Sequence, residues 1–555
     1  MSEKIVNLKD MLKKSGEQYG NKIAYQIRKK QNSYQIITHK EVRQMIDAFG
    51  TALLNIGLKG KRIAVIGENR YEWEIAYLAI VCGVGIVVPL DKSLPENELK
   101  NVIERSEVES IIYTQKYEES LKNIRNEGTG KLKHLISMDL LEHKEGIYSQ
   151  KELIEMGMKQ IQQGDRQYQE VEIDDEKMSI MLFTSGTTST SKIVALSHKN
   201  LCSNLMDIDS VLDVDCNDVF LSFLPIHHVF ECTVGFLFAL YKGAKTVFCD
   251  GIRHIVENMK EYKVSVMASV PAIYERIFKI IRKQLEKQGK VQEKKIVFKN
   301  IHNMLGGNVK LLISGAASLE SSIEESYRKL GFNLVQGYGL TETSPVVAIG
   351  SKKYYKLGSI GKTVPSVKAK VVNANSEGIG ELIVQGPNVM LGYFENKTET
   401  KKVLKDGWFY TGDLAKIDEE GYIFICGRKK SVIVLKNGKN IFPEEMENLL
   451  NRIEGVEESF VFGKQMSDDK NDIKIYAKLV YNQEVVENTY KLEGEDKIRQ
   501  ALKEKVKEIN QTMPKYKAIR GIFLTQEPLI KTTTNKIKRQ DNLQKIQKGE
   551  KACQC

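Results

Sequence analysis

The stretch Met181-Leu-Phe-Thr-Ser-Gly-Thr-Thr-Ser-Thr-Ser-Lys192, followed by Ile193-Val-Ala-Leu196 and Ser197, decides how this chain is read. An apolar strand runs into hydroxyls and one glycine and ends on a lysine. That run offers backbone N–H groups, O–H groups and a cation, the donors a polyphosphate needs. A flexible Ser/Thr loop is the plain alternative from this segment alone. The pattern G-x-x-x-x-G-K-[ST] does not fit. Counted from Gly186, its second glycine falls on Ser191 and its final hydroxyl on Ile193. The strand-like Ile193–Leu196 comes next, and a helix is expected only from a cap at Ser197. A P-loop NTPase starts its helix directly after the glycines, so that class is excluded.

Outward from the loop, apolar strand-like runs alternate with helical ones. Strands are expected at Arg62–Gly67, Ser110–Tyr113, Thr246–Cys249, Val264–Ala268 and Lys310–Ser314, and helices at His39–Asn55 and Pro271–Gln288. This alternation predicts an α/β fold with parallel sheets covered by helices. After about residue 355, short strands with Gly-rich turns (Ala369–Val372, Gly380–Val384, Gly421–Cys426) predict a β-rich subdomain. A small α+β domain follows, with helices at Glu444–Ile453 and Asp496–Gln511. The boundary is expected in Gly427-Arg-Lys-Lys430, giving domains 1–429 and 430–555.

The 555 residues suffice for several domains, and 41% hydrophobic with 28% charged residues fits a globular protein. The net charge of +11 is spread over 83 basic and 72 acidic residues, so no nucleic-acid partner is expected. The surplus can steer anionic substrates. Eight scattered cysteines read as reduced thiols of a cytoplasmic protein, and the Cys553-Gln-Cys555 tail reads as a frayed end rather than a metal site. Met-Ser-Glu-Lys4 has no apolar run, so no signal peptide is expected. The uncharged Ile75–Leu90 is shorter than the roughly 20 residues of a spanning helix. It reads as a buried helix (Trp73–Val81) entering a buried strand (Gly85–Val88).

Further segments carry chemistry. Leu311-Leu-Ile-Ser-Gly-Ala-Ala317 and Gln336-Gly-Tyr-Gly-Leu-Thr-Glu-Thr343 let backbone approach a flat ligand while a Tyr ring stacks on it. Thr341 and Glu342 then offer a phosphate donor and a hard oxygen ligand for Mg²⁺. In Asp406-Gly-Trp-Phe-Tyr-Thr-Gly-Asp413, Asp413 can accept two ribose hydroxyls. Gly427-Arg-Lys-Lys430 leads to Asn437-Gly-Lys-Asn440, and Lys531-Thr-Thr-Thr-Asn-Lys-Ile-Lys-Arg539 is a basic loop. Each segment alone is also compatible with a turn or a solvated charge run.

As an ordered set, these segments resemble the ANL superfamily of adenylate-forming enzymes over about residues 10–540. Leu305–Ala317, Leu224-Pro-Ile-His-His-Val-Phe-Glu231 and Val434–Asn440 look most like its long-chain fatty acyl-CoA synthetase branch. The resemblance implies an ANL fold: a large N-terminal domain of helix-covered sheets plus a β-rich subdomain, with a small mobile C-terminal α+β domain. It implies ATP, Mg²⁺ and coenzyme A as cofactor and substrates. A fatty acid is converted to acyl-AMP and passed to CoA. An acyl-[acyl-carrier-protein] synthetase, using acyl carrier protein as acceptor, is the alternative.

By motif, Thr184, Ser185, Gly186, Thr187, Thr188 and Lys192 would hold the pyrophosphate end, and Thr341 the α-phosphate. Ala316 and Tyr338 would sandwich adenine, with Gly315, Ala317, Gly337 and Gly339 also among the ATP/AMP-binding residues; Asp413 and Arg428 would bind ribose; Glu342 would bind Mg²⁺. Lys536 would be the catalytic cation, His228 a switch beside the acyl pocket, Lys430 the hinge, and Asn437, Gly438 and Lys439 the CoA loop. His227 reads as structural. Three positions depart from T-S-G-T-T-G-x-P-K-G: Ser189, Ser191 and Ile193 replace Gly, Pro and Gly, so slower pyrophosphate handling is expected. Asn535 stands where Gly is usual, and Ser431 where an acidic residue is frequent. The expected location is cytoplasmic. Chain length, oligomeric state and a peripheral contact with the inner membrane face are left open.

Overall fold

The computed structural model describes residues 4–30, 33–128, 130–184, 191–288, 294–435, 440–465, 473–532, 537–547 and 553–554. The chain divides into two units. The first comprises Met1–Ala369, Val384–Phe409 and Asp418–Ile423, and the second Lys370–Ile383, Tyr410–Ile417 and Phe424–Cys555.

The first unit is built on two large sheets. In the nine-stranded one, Val219–Ser222, Lys245–Phe248, Val266–Ser269, Leu311–Ser314 and Leu334–Gly339 run parallel. Antiparallel strands close both edges: Ser33–Thr38 on one side, Val346–Ile349 and Lys362–Thr363 on the other. The eight-stranded sheet centres on Arg62–Ile66, flanked in parallel by Ile86–Pro89 and Ser110–Tyr113. Its strands Met178–Phe183 and Ile193–Ser197 form the antiparallel hairpin that carries the Ser/Thr loop. Helix His198–Val211 begins only after that second strand, capped by Ser197, as expected.

Local chemistry explains the elements. Thr38 and Glu41 form a reciprocal capping box that starts helix His39–Asn55. That helix packs on Gln150–Gln162 so closely that a Cβ at Gly157 would lie 1.8 Å from the Ala48 carbonyl oxygen, so only glycine fits. The expected helix Trp73–Val81 is Tyr71–Ala79, continued by a wider π-turn Ile80–Val84, and the strand after it is Ile86–Pro89. Its apolar residues lie in the protein core, and no helix among the described residues is long and apolar enough to cross a membrane.

The second unit contains a four-stranded sheet in the order Val456–Gln465, Ile473–Tyr481, Ile519–Thr525, Cys553–Gln554. Helices Pro443–Leu450 and Glu495–Gln511 bury Met446, Leu450, Ile498, Leu502 and Val506 in the core it shares. The expectation of a frayed tail is corrected: Cys553 and Gln554 pair antiparallel with Ile522 and Gly521, whose edge would otherwise stay unpaired.

Two buried histidines set an acid limit on the first unit. His198 accepts the Leu8 N–H at 3.2 Å through Nδ1, and its Nε2 lies 3.1 Å from the Val81 carbonyl, so the ring fits as a neutral tautomer. Burial pulls the imidazoles of His198 and His39 down from 6.5 to about 4. The unfolded chain therefore binds protons first as the pH drops. The stability each neutral ring contributes is lost between pH 6.5 and about 4, on the order of 3 kcal/mol per ring. Thermal melting across that window is expected to show a falling midpoint. His198→Gln, which keeps an acceptor and a donor but does not titrate, should flatten the slope; an unchanged slope would contradict this account.

Candidate functional site

The parallel strands of the nine-stranded sheet bring three of the segments to one edge. His228 follows Val219–Ser222, Gly315–Ala317 follow Leu311–Ser314, and Tyr338 and Gly339 end Leu334–Gly339. Carboxyl ends of parallel strands are where α/β sheets bind ligands. At this edge the hydroxyls of Ser269 and Ser314, the last residues of their strands, are buried with no hydrogen-bond partner among the described residues. The segments also lock together. A Cβ at Gly315 would lie 2.9 Å from Phe230 Cζ, so the His228 segment packs directly on the Gly315–Ala317 turn, where Ala316 adopts φ 67°. Phe230 in turn donates its N–H to His228 Nδ1 at 3.3 Å.

Thr341–Thr343 form one 3₁₀ turn whose shape is fixed from within and from behind. The Thr343 hydroxyl oxygen accepts the Leu340 N–H at 2.9 Å, and Asn388 donates to the Thr343 and Val346 carbonyls at 2.9 and 3.0 Å. The Met390 N–H donates to the Glu342 carbonyl at 2.9 Å. The Glu342 carboxylate accepts the Tyr393 hydroxyl at 2.9 Å, and burial and that carboxylate raise the Tyr393 pKa, so its phenol remains a donor.

The same ring links the turn to the phosphate loop. Lys192 Nζ lies 4.5 Å from the Tyr393 ring centroid and 2.7 Å from Glu399, whose carboxyl is held down at about 2 by hydrogen bonds from Lys192 and Lys402. The loop's neck is closed by Thr184, whose N–H donates to the Lys192 carbonyl at 2.9 Å and whose hydroxyl oxygen accepts the Lys192 N–H at 3.0 Å. Thr184, Lys192, Thr341 and Glu342 thus belong to one connected construction. Ile193 does not belong to the loop. It pairs with Phe183 in the hairpin, is 5% exposed and packs in the apolar core, so its replacement of a glycine leaves loop freedom untouched.

In the second unit the two ribose candidates are paired: Arg428 Nε lies 2.9 Å from Asp413 Oδ1, with Asp413 buried and the guanidinium exposed. The Asp413 N–H donates to the Thr411 hydroxyl oxygen at 3.0 Å, and that hydroxyl donates to the Leu382 carbonyl at 2.7 Å. Lys430 is exposed on the turn Lys429–Ser431. Ser185, Gly186, Thr187, Thr188, Ser189, Asn437, Gly438, Lys439, Asn535 and Lys536 lie outside the described residues. Their flanks are described. Val434 pairs with Asn440, and Lys531 bridges Ile537. His227 stands 3.6 Å from Asp91, and burial lowers its pKa.

Sequence reasoning missed Tyr393, Glu399 and Asn388. Each is distant in sequence from the residue it serves, and none stands in a charge or glycine pattern that marks it.

Fold and site together define an α/β protein in which Lys192, at the neck of the Ser/Thr-rich hairpin, is joined through Tyr393 to the Thr341–Thr343 turn. The sequence pattern of the AMP-binding enzymes matches residues 12–394, and that of the AMP-binding enzyme C-terminal domain matches 430–549. The chain belongs to this family, the ANL adenylate-forming enzymes, and is an AMP-forming acid–CoA ligase of that group. It is 30% identical to long-chain-fatty-acid–CoA ligase 5 of Mus musculus, over 79% of this chain and 71% of the relative. It is 27% identical to long chain acyl-CoA synthetase 3 of Arabidopsis thaliana, over 77% and 71%. Among solved structures, ATP-bound MatB from Rhodopseudomonas palustris superposes with TM-score 0.78 at 24% identity, covering 98% of this chain and 99% of that one. The o-succinylbenzoate CoA synthetase MenE from Bacillus subtilis gives 0.74 at 21%, covering 96% and 97%.

Proposed function

We propose that this enzyme activates a medium- to long-chain fatty acid with ATP, forming acyl-AMP and pyrophosphate, and then transfers the acyl group to coenzyme A with release of AMP. The observation that carries the chemistry is the linked set Lys192–Tyr393–Glu342 beside the carboxyl edge of the parallel sheet. It supports the reading of Lys192 as the cation for departing phosphates and of Glu342 as the carboxylate for their counter-ion, because one ring joins the two. The long-chain relatives support the choice of acid.

A carboxylate is already a nucleophile, so the first half-reaction needs alignment and charge neutralisation more than acid–base help. In this reading Lys536 touches carboxylate and α-phosphate, Thr341 donates to the α-phosphate, and Thr184 to Thr188 with Lys192 hold the pyrophosphate. Ala316 and Tyr338 enclose adenine, and the Asp413–Arg428 pair binds ribose. Glu342 presents one hard carboxylate, held by the Tyr393 hydroxyl at 2.9 Å. That fits Mg²⁺, which takes most of its shell from phosphates and water and neutralises their charge when bound. Lys430 is the proposed hinge between 1–429 and 430–555, and Asn437–Lys439 the proposed CoA loop.

Release of AMP and pyrophosphate should be measured with a series of fatty acids, with and without CoA. CoA-dependent turnover favouring long chains is expected. Pyrophosphate exchange without thioester would move the acceptor to a carrier protein. No exchange with any acid would refute the proposal.

A further inference from the structure

Ser191 occupies the place where the family pattern has a proline, and the structure shows what holds it instead. Arg105 is the last residue of helix Glu96–Arg105, where a cation is favourable. Its guanidinium donates to the Ser191 hydroxyl oxygen at 3.1 Å and to the Ser191 carbonyl, while its Cζ lies 5.7 Å from the Phe183 ring centroid. Phe183 ends its strand just before Thr184 and Ser191 precedes Lys192 on the loop side of the neck, so one guanidinium reaches across the neck at the point where the loop departs. Ser191 is 4% exposed, so both of these hydrogen bonds are made in a buried setting. The anchor is stiff. Leu99, Val102 and Ile103 of the helix pack in the same core cluster as Met181 and Ile193 of the hairpin, with Phe183 against it. Arg105, Ser191, Lys192, Tyr393 and Glu399 also line one cavity of about 600 Å³ beside the loop.

We infer that Arg105 is a positioning residue for nucleotide binding: it clamps Ser191 from outside and thereby fixes Lys192 against the phosphates, in place of the backbone restraint a proline would give from within. A proline presets φ near −65° and needs no partner. A serine lets that torsion wander unless its carbonyl and hydroxyl are gripped by a planar, two-pronged donor. The inference rests on Lys192 being a phosphate ligand, as in the proposed function.

The test is ATP affinity by calorimetry, without acid or CoA, on the full chain and on Arg105→Ala, Arg105→Lys, Ser191→Pro and the double variant Arg105→Ala/Ser191→Pro. Arg105→Ala is expected to weaken ATP binding about tenfold, the scale of charge-assisted hydrogen bonds lost from a binding loop. Its KM for the fatty acid should stay unchanged. Arg105→Lys, with a point charge and no fork, should fall between. Ser191→Pro should bind ATP at least as well as the parent, and in that background Arg105→Ala should cost less than about threefold. Equal ATP affinity in Arg105→Ala and parent overturns the inference and leaves the proposed function standing, as does a tenfold loss that proline fails to suppress. A parent chain that binds no ATP overturns both.

Discussion

Lys536→Ala is expected to lower acyl-adenylate formation about 10³-fold while leaving thioester formation from supplied acyl-AMP and CoA within about threefold of the parent. The asymmetry follows from charge. Carboxylate attack on the α-phosphate brings two anions together, and a preorganised cation bridging them acts on the transition state. Thiol attack on acyl-AMP expels AMP and brings no second anion to the α-phosphate. The described residues on either side of Lys536 are tied together. Lys531 bridges Ile537, the Lys538 N–H donates to the Ile530 carbonyl at 2.9 Å, and Asn542 accepts from the Ile530 N–H at 3.0 Å while donating to the Ile530 and Lys538 carbonyls at 2.8 Å. Lys531 is paired with Glu458 at 2.6 Å, and Arg539 with Glu447 at 2.8 Å and Glu444 at 3.1 Å. Lys531 and Arg539 are thus committed to carboxylates. Isotope exchange between pyrophosphate and ATP reads the first step, and thioester yield from synthetic acyl-AMP the second. Loss of both in Lys536→Ala would mean that this lysine serves the whole cycle.

Most of the scaffold was legible because local chemistry states it. Ser197 announces the cap of His198–Val211, and the apolar run Leu311–Ile313 fits a central parallel strand buried on both faces. The motif residues were legible for the same reason: glycines at Gly315 and Gly339 are required where Phe230 and the Pro345 carbonyl crowd the backbone. What joins the motifs was not. Tyr393 lies in the two-residue strand Gly392–Tyr393, which pairs with Val194 and Ala195, and that pairing alone brings its hydroxyl to Glu342 and its ring to Lys192. Arg105 meets Ser191 across 86 residues, through a core that packs helix against hairpin. A strand of two residues has no period, and a terminal helix arginine looks like any solvated charge. Such contacts are properties of the packing and leave no mark in a single sequence.

Of the three departures from the family pattern, Ser191 and Ile193 lie among the described residues, and the two differ: Ser191 is held by Arg105, whereas Ile193 is part of the hairpin. Ile193→Gly restores the family residue, yet it is expected to destabilise the first unit by roughly 3–5 kcal/mol, the sum of a buried large-to-small cavity term and the glycine backbone term in a strand. Ile193 pairs with Phe183, accepts the Phe394 N–H at 2.8 Å through its carbonyl, and packs its side chain with Met181 in the core under the eight-stranded sheet. Removing that side chain leaves a void lined by a helix and strands that cannot close on it, whereas the backbone bonds to Phe183 and Phe394 persist. The expectation is therefore a lower thermal midpoint with an ATP affinity, measured well below that midpoint, close to the parent's. If Ile193→Gly melted like the parent and bound ATP more tightly, residue 193 would be acting as part of the loop after all, and the hairpin would have to open at its first pair.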